Sequence, residues 1–270
     1  MIICRFRKAG AGLAALVLWA GPGQLALRAQ SALSAGDIMQ RAVSRSQQVH
    51  TGSASPGYTC TKVSVTEEMD STGKIREHKE KVYQICSRAG STSARLVEVN
   101  GHAPGPADVK KQSENEMSLR QLLGESKSGK AGDRDSFLTP DLVARFDFKL
   151  AGQDVVNQRP AYQIAFEPKD PEPPIHRMID RLVNRLSGTL WIDADEFEVA
   201  RAEIRLRSEV DLLGGLAGCL RTLAYSVTRM RVADGLWLNS ASSGDFEGRK
   251  LLDSMRIKTK SQTTDFRPSG

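Results

Sequence analysis

The stretch GTLWIDADEFEVARAEIRL, residues 188–206, decides how this chain is read. Residues 188–193 and 197–201 alternate in the manner of two strands, with Ala194, Asp195 and Glu196 between them. Asp193, Asp195 and Glu196 are either catalytic or metal-binding carboxylates or simply the polar turn of a hairpin. Aspartate favours turns because its side chain bonds nearby backbone N–H groups. A metal or two-carboxylate site needs a second cluster converging on the first. His50, His78, His102 and His176 share no ligand spacing. No His-Glu-x-x-His, Gly-x-Ser-x-Gly, phosphate-loop or Cys-x-x-Cys motif occurs. The hairpin reading therefore stands, with no metal, cofactor or catalytic residue expected.

Outward from this hairpin, strands are expected at 197–209, 220–232, 236–246 and 250–266, after 188–193. Asp234-Gly235 signals a type I′ turn, and Glu247-Gly248 a second turn. Upstream, Thr139-Pro140-Asp141 starts a helix. Phe146, Phe148 and Leu150, then Tyr162, Ile164 and Phe166, form period-two apolar stripes. Leu190/Ile192 and Ile204/Leu206 continue the pattern. After the break DPEPP (170–174), Ile175, Ile179, Leu182 and Leu186 mark the apolar side of a helix over 175–186. That helix is either a lid or a packed surface element. Residues 34–49 read as another helix through Ile38, Met39, Ala42 and Val43, and 105–135 as a solvated helix with a polar tail. Hairpins in succession give an antiparallel meander, so the fold class is α+β, mainly antiparallel β.

The N-terminus reads differently. Arg5, Arg7 and Lys8 precede the apolar run Ala9–Ala20, and Gly21-Pro22-Gly23 breaks it. Residues 1–29 are expected to be a signal peptide, with an uncleaved anchor as the competing reading, and 30–270 a single domain. The whole chain has 38 basic and 32 acidic residues. Without Arg5, Arg7, Lys8 and Arg28, 34 basic residues face 32 acidic ones, a net of +2. A nucleic-acid partner loses its support at that charge.

Cys60 and Cys86 flank a hairpin that turns through Asp70–Lys74, followed by a third strand at 94–99. A loop centred on Gly73 places the two cysteines opposite one another, within disulfide reach in an oxidising compartment. A register slip of one residue leaves them as free thiols on opposite faces. Cys219 has no evident partner and reads as a small buried residue.

The segments LTPDLVARFDFKLAGQDVVNQRPAYQIAFEPK (138–169), GTLWIDADEFEVARAEIRL and RMRVADGLWLNSASSGDFEGRK (229–250) together resemble exported bacterial proteins similar to outer-membrane lipoprotein-sorting proteins, with the LolA/LolB-like fold. The likeness runs over about residues 34–266. Gln158, where glycine is commoner, and the cysteine pair depart from the family pattern. The resemblance implies a strongly curved, unclosed β-barrel whose concave face is covered by helices and holds acyl chains. It implies a periplasmic carrier of lipid or lipoprotein acyl chains without catalysis, or an envelope sensor or assembly module with a protein partner on the same fold.

Phe146, Phe148, Leu150, Tyr162, Ile164, Phe166, Leu190, Ile192, Ile204 and Leu206 are the expected apolar lining, most of them filling core and the rest facing a hollow. The small face of Thr222, Ala224, Ser226 and Thr228 favours some hollowness. The apolar connection LLGGLAGCL (212–220) either tucks into the core or makes transient membrane contact. The sequence leaves the oligomeric state open.

Overall fold

Hairpin follows hairpin in the computed structural model, which describes residues 33–51, 57–88, 91–123, 138–211, 218–250 and 253–268. The expected signal peptide, the polar tail at 124–137 and most of the 212–220 connection lie outside the described residues.

The first element, α1 (Ala35–Thr51), starts with a reciprocal cap. The Ser34 hydroxyl accepts the Asp37 N–H, and the Asp37 carboxylate accepts the Ser34 N–H, each at 3.1 Å. Three strands follow, β1 (Tyr58–Met69), β2 (Ile75–Arg88) and β3 (Ser91–Val99). After α2 (Pro106–Leu123) and the one-turn α3 (Pro140–Val143), capped by Thr139, come β4 (Phe146–Val156) and β5 (Arg159–Pro168). Then α4 (Met178–Val183) leads to β6 (Leu186–Asp193), β7 (Val199–Leu206), the short β8 (Val210–Asp211), β9 (Cys219–Ala233), β10 (Leu236–Lys250) and β11 (Asp253–Pro268).

These strands form one 11-stranded antiparallel sheet in the order β3-β2-β1-β11-β10-β9-β7-β6-β5-β4, with β8 added beside β9. Its edges, β3 and β4, do not meet, so the sheet is an unclosed half-barrel. Helices accompany its apolar face: Ile38, Met39 and Ala42 of α1 pack with Ile164, Leu190, Ile192 and Val227. Burying each such large side chain is worth about 1.5–3 kcal/mol, so the α1 contact fixes which face is inside.

Several expectations change. Thr59 pairs with Cys86, and Cys60 pairs with Ile85. Cys60 and Cys86 therefore point to opposite faces, and no disulfide joins them. Glu247-Gly248 is not a turn, because β10 runs through it to Lys250. A Cβ at Gly248 would lie 2.5 Å from the Cys219 carbonyl oxygen, so this glycine serves close strand approach. At Asp234-Gly235 only Gly235 has positive φ, 69°, so the turn is not type I′. Asn157-Gln158 takes that conformation instead, at φ 49° and 64°, between β4 and β5. The helix expected over 175–186 spans only Met178–Val183. Ile175 precedes it and is exposed, while Leu186 opens β6.

Candidate functional site

Asp193 closes the hairpin with which the sequence was read. It is fully buried, and its carboxylate accepts from Arg159 Nε at 2.6 Å and Nη2 at 2.9 Å. It also accepts the N–H groups of Asp195 and Glu196 at 3.1 and 2.8 Å. Burial pushes its pKa up, but the Arg159 and backbone hydrogen bonds outweigh this and hold it below the usual range. Glu196 in turn accepts from Trp237 Nε1 at 2.9 Å and pairs with Arg231. A carboxylate with its lone pairs so occupied is a structural turn group and has no capacity left for a metal or a substrate proton.

A second buried pair escaped the sequence reading. Arg145, at the start of β4, meets Asp180 of α4 at 3.1 Å and Asn184 at 3.0 Å. Asp180 also accepts the N–H groups of His176 and Arg177, each at 2.9 Å. Burial opposes its ionisation, yet these bonds lower its pKa to about 2. With Val183 packed on the core, α4 is pinned at both its polar and its apolar side.

Among the described residues, His78, His102 and His176 do not converge. His78 contacts Glu67, His102 contacts the Asn100 carbonyl, and the His176 backbone joins Asp180; the side chain of His50 lies outside the described residues. Cys219, expected to stand alone, donates its thiol to Glu209 at 2.6 Å, with Asp211 beside them. Burial and then Glu209 push the thiol pKa up, which describes a protonated donor on a carboxylate.

All ten expected lining residues lie on the helix-bearing face. Phe146, Ile164, Phe166, Leu190 and Ile192 are buried in the cluster that α1 covers. Phe148, Leu150, Tyr162 and Ile204 are half-buried against that cluster, and Leu206 is half-buried beyond it. Of the helix residues, Ile179 and Leu182 are half-buried on α4. The register carries this face onward. Ile204 pairs with Tyr225, and Leu223 pairs with Phe246, which pairs with Ile257. Leu206, Leu223, Tyr225, Phe246 and Ile257 thus form a half-buried apolar band next to the packed core. The sequence missed Leu223, Phe246 and Ile257, whose only signal was period-two alternation inside polar strands.

Thr222, Ala224, Ser226 and Thr228 point the other way. Ala224 and Ser226, with Glu203, Arg205, Ser243 and Lys260, border an open trough of about 670 Å³ on the outer face. Its floor is the backbone row Gly188-Ile204-Tyr225-Gly244-Thr259. The small residues therefore leave space on the face away from α1; the sequence left open which face would be hollow.

The band, the unclosed sheet and the helices on one face together make up the candidate site. The chain is similar to LolA-superfamily structures. A domain from Vibrio parahaemolyticus described as an outer membrane lipoprotein-sorting protein shares 12% identity, covering 87% of this chain and 93% of that one, at a TM-score of 0.42. A LolA-superfamily protein from Nitrosomonas europaea shares 11% identity over 88% and 95% of the two chains, at 0.35. The Mycobacterium tuberculosis lipoprotein LppX shares 8% over 88% and 99%, at 0.30. No family model matches the sequence, and no curated protein does.

Proposed function

We propose that this protein is an exported, periplasmic and non-catalytic carrier that shelters lipid or lipoprotein acyl chains on the helix-bearing face of its half-barrel. One observation carries the reading: the half-buried band of Ile204, Leu206, Leu223, Tyr225, Phe246 and Ile257 continues the core face past the residues that α1 covers. Each CH₂ that an acyl chain buries there gains about 0.8 kcal/mol, so affinity needs no specific polar contact. The saturated Asp193 and Asp180 carboxylates agree with a scaffold that holds and releases its cargo without chemistry on it.

Native mass spectrometry of the purified full-length protein, with solvent extraction, tests the reading. Acyl species are expected to co-purify, and Phe246→Asp is expected to lose a fluorescent fatty acid while remaining folded. Protein that is empty and fails to bind the fatty acid overturns it. The outer trough supports a second reading, in which an envelope protein docks there. In that case charge reversal at Arg205 and Lys260 abolishes a pull-down complex, and lipid is dispensable.

A further inference from the structure

Two rows of side chains cross the helix-bearing face from β2 to β4, with Val99 of the edge strand β3 beyond Lys81, and both change character in the same direction. The first runs Lys81-Ser64-Ser261-Ser242 and then Val227-Ala202-Leu190-Ile164-Leu150. The second runs Lys79-Thr66-Thr259-Gly244 and then Tyr225-Ile204-Gly188-Phe166-Phe148. Each row passes from ammonium through hydroxyl or glycine to hydrocarbon. Lys62, facing Tyr83 and two residues before Ser64, adds a third lysine to the same end.

Not all of this charge is free. Lys79 pairs with Glu77 at 3.1 Å, and Glu68 lies in the adjoining row. Asp108 and Lys111 of α2 act on Lys81 with opposite sign. Lys62 and Lys81 have no ion-pair partner among the described residues, and both are half-buried. Burial first, and then the neighbouring Lys79, lower the pKa of Lys81. A half-buried ammonium among like charges gains from an incoming anion more than a solvated one does.

Resting on the carrier reading above, we infer that the cargo is an anionic amphiphile, its phosphate or carboxylate head at Lys62 and Lys81 and its chains along the band from Tyr225 to Phe246. The hydroxyls of Ser64, Ser242 and Ser261 lie between head and chain, where an ester or glycerol linkage would sit. Ser242 and Ser261 already bond each other at 2.7 Å.

Binding of short-chain fluorescent phosphatidylglycerol and phosphatidylcholine with matched acyl chains tests this, in wild type, Lys62→Gln/Lys81→Gln and Phe246→Asp. Wild type is expected to prefer phosphatidylglycerol by about tenfold, the value of one charge-assisted hydrogen bond. The lysine double variant is expected to bring the two lipids within about twofold, phosphatidylglycerol losing more affinity than phosphatidylcholine, whose choline cation already offsets its phosphate. Phe246→Asp is expected to weaken both. Equal binding of the two lipids by wild type overturns the headgroup assignment and leaves the carrier reading standing. Binding of neither lipid overturns the carrier reading itself. Displacement of phosphatidylglycerol by equimolar inorganic phosphate overturns the amphiphile in favour of a free-anion site. Melting temperatures within about 2 °C of wild type, less than 1 kcal/mol for a domain this size, establish that each variant is folded.

Discussion

Arg159 lays two guanidinium nitrogens on the carboxylate of Asp193, at 2.6 and 2.9 Å, where the acid has no solvent exposure. Removing one partner of such a pair strands the other and, here, two backbone N–H groups as well. Asp193→Ala is expected to cost about 3–5 kcal/mol in chemical denaturation. Its neighbour Asp195, 65% exposed, touches the same arginine at 3.1 Å. Asp195→Ala is expected to cost less than about 1 kcal/mol. Similar losses at both positions would contradict a turn held by the buried acid.

Asp180 sets an acid limit. Its folded pKa, about 2, lies below the ordinary value of 3.8, so its stabilisation is complete above pH 4 and falls away as pH drops from about 4 to 2. The difference corresponds to about 2 kcal/mol. Asp180→Asn is expected to be less stable than wild type at pH 7, with the gap narrowing below pH 4, as read by urea midpoints across pH.

Gly188 tests strand approach. A Cβ there would sit 1.9 Å from the Glu203 carbonyl oxygen and 3.0 Å from the Phe166 ring. Gly188→Ala is expected to destabilise by about 1–3 kcal/mol or more, because β6 and β7 must separate. At Gly36 an added Cβ meets only the Ser34 hydroxyl, at 3.7 Å. Gly36→Ala is expected to be neutral or stabilising by melting temperature.

The thiols Cys60 and Cys86 are expected to react with a maleimide reagent after non-reducing denaturation, and reductant is expected to leave the melting temperature unchanged. A mass two units lower under non-reducing conditions would show the bond that the register forbids.

Hairpins were legible where turn chemistry is local. Asp70–Lys74 and Asp193–Glu196 carry their own side-chain and backbone signals. Register was harder to read. The ladder irregularity between Glu68 and Met69 shifts the first hairpin by one residue, which turns Cys86 away from Cys60. Gly248 looks like a turn former in sequence, because a glycine that permits close approach uses the same letter. Long-range pairs leave no local trace. Arg145 and Asp180 are 35 positions apart, and the pairing of β1 with β11 spans nearly the whole described chain. The apolar stripes fall on the face that α1 covers. How far that face continues past the residues packed against α1 depends on strand order, which alternation alone does not specify.

The final strand, β11, lies between β1 and β10, near the middle of the sheet. A chain synthesised N-terminus first delivers β1 with one flank bare and keeps it so until β11 arrives. During that interval the lysine-bearing half and the greasy half are separate bodies. Such an open flank invites pairing with the wrong chain. β11 therefore both seals that flank and joins the two halves, so loss of Asp253–Pro268 would uncouple them.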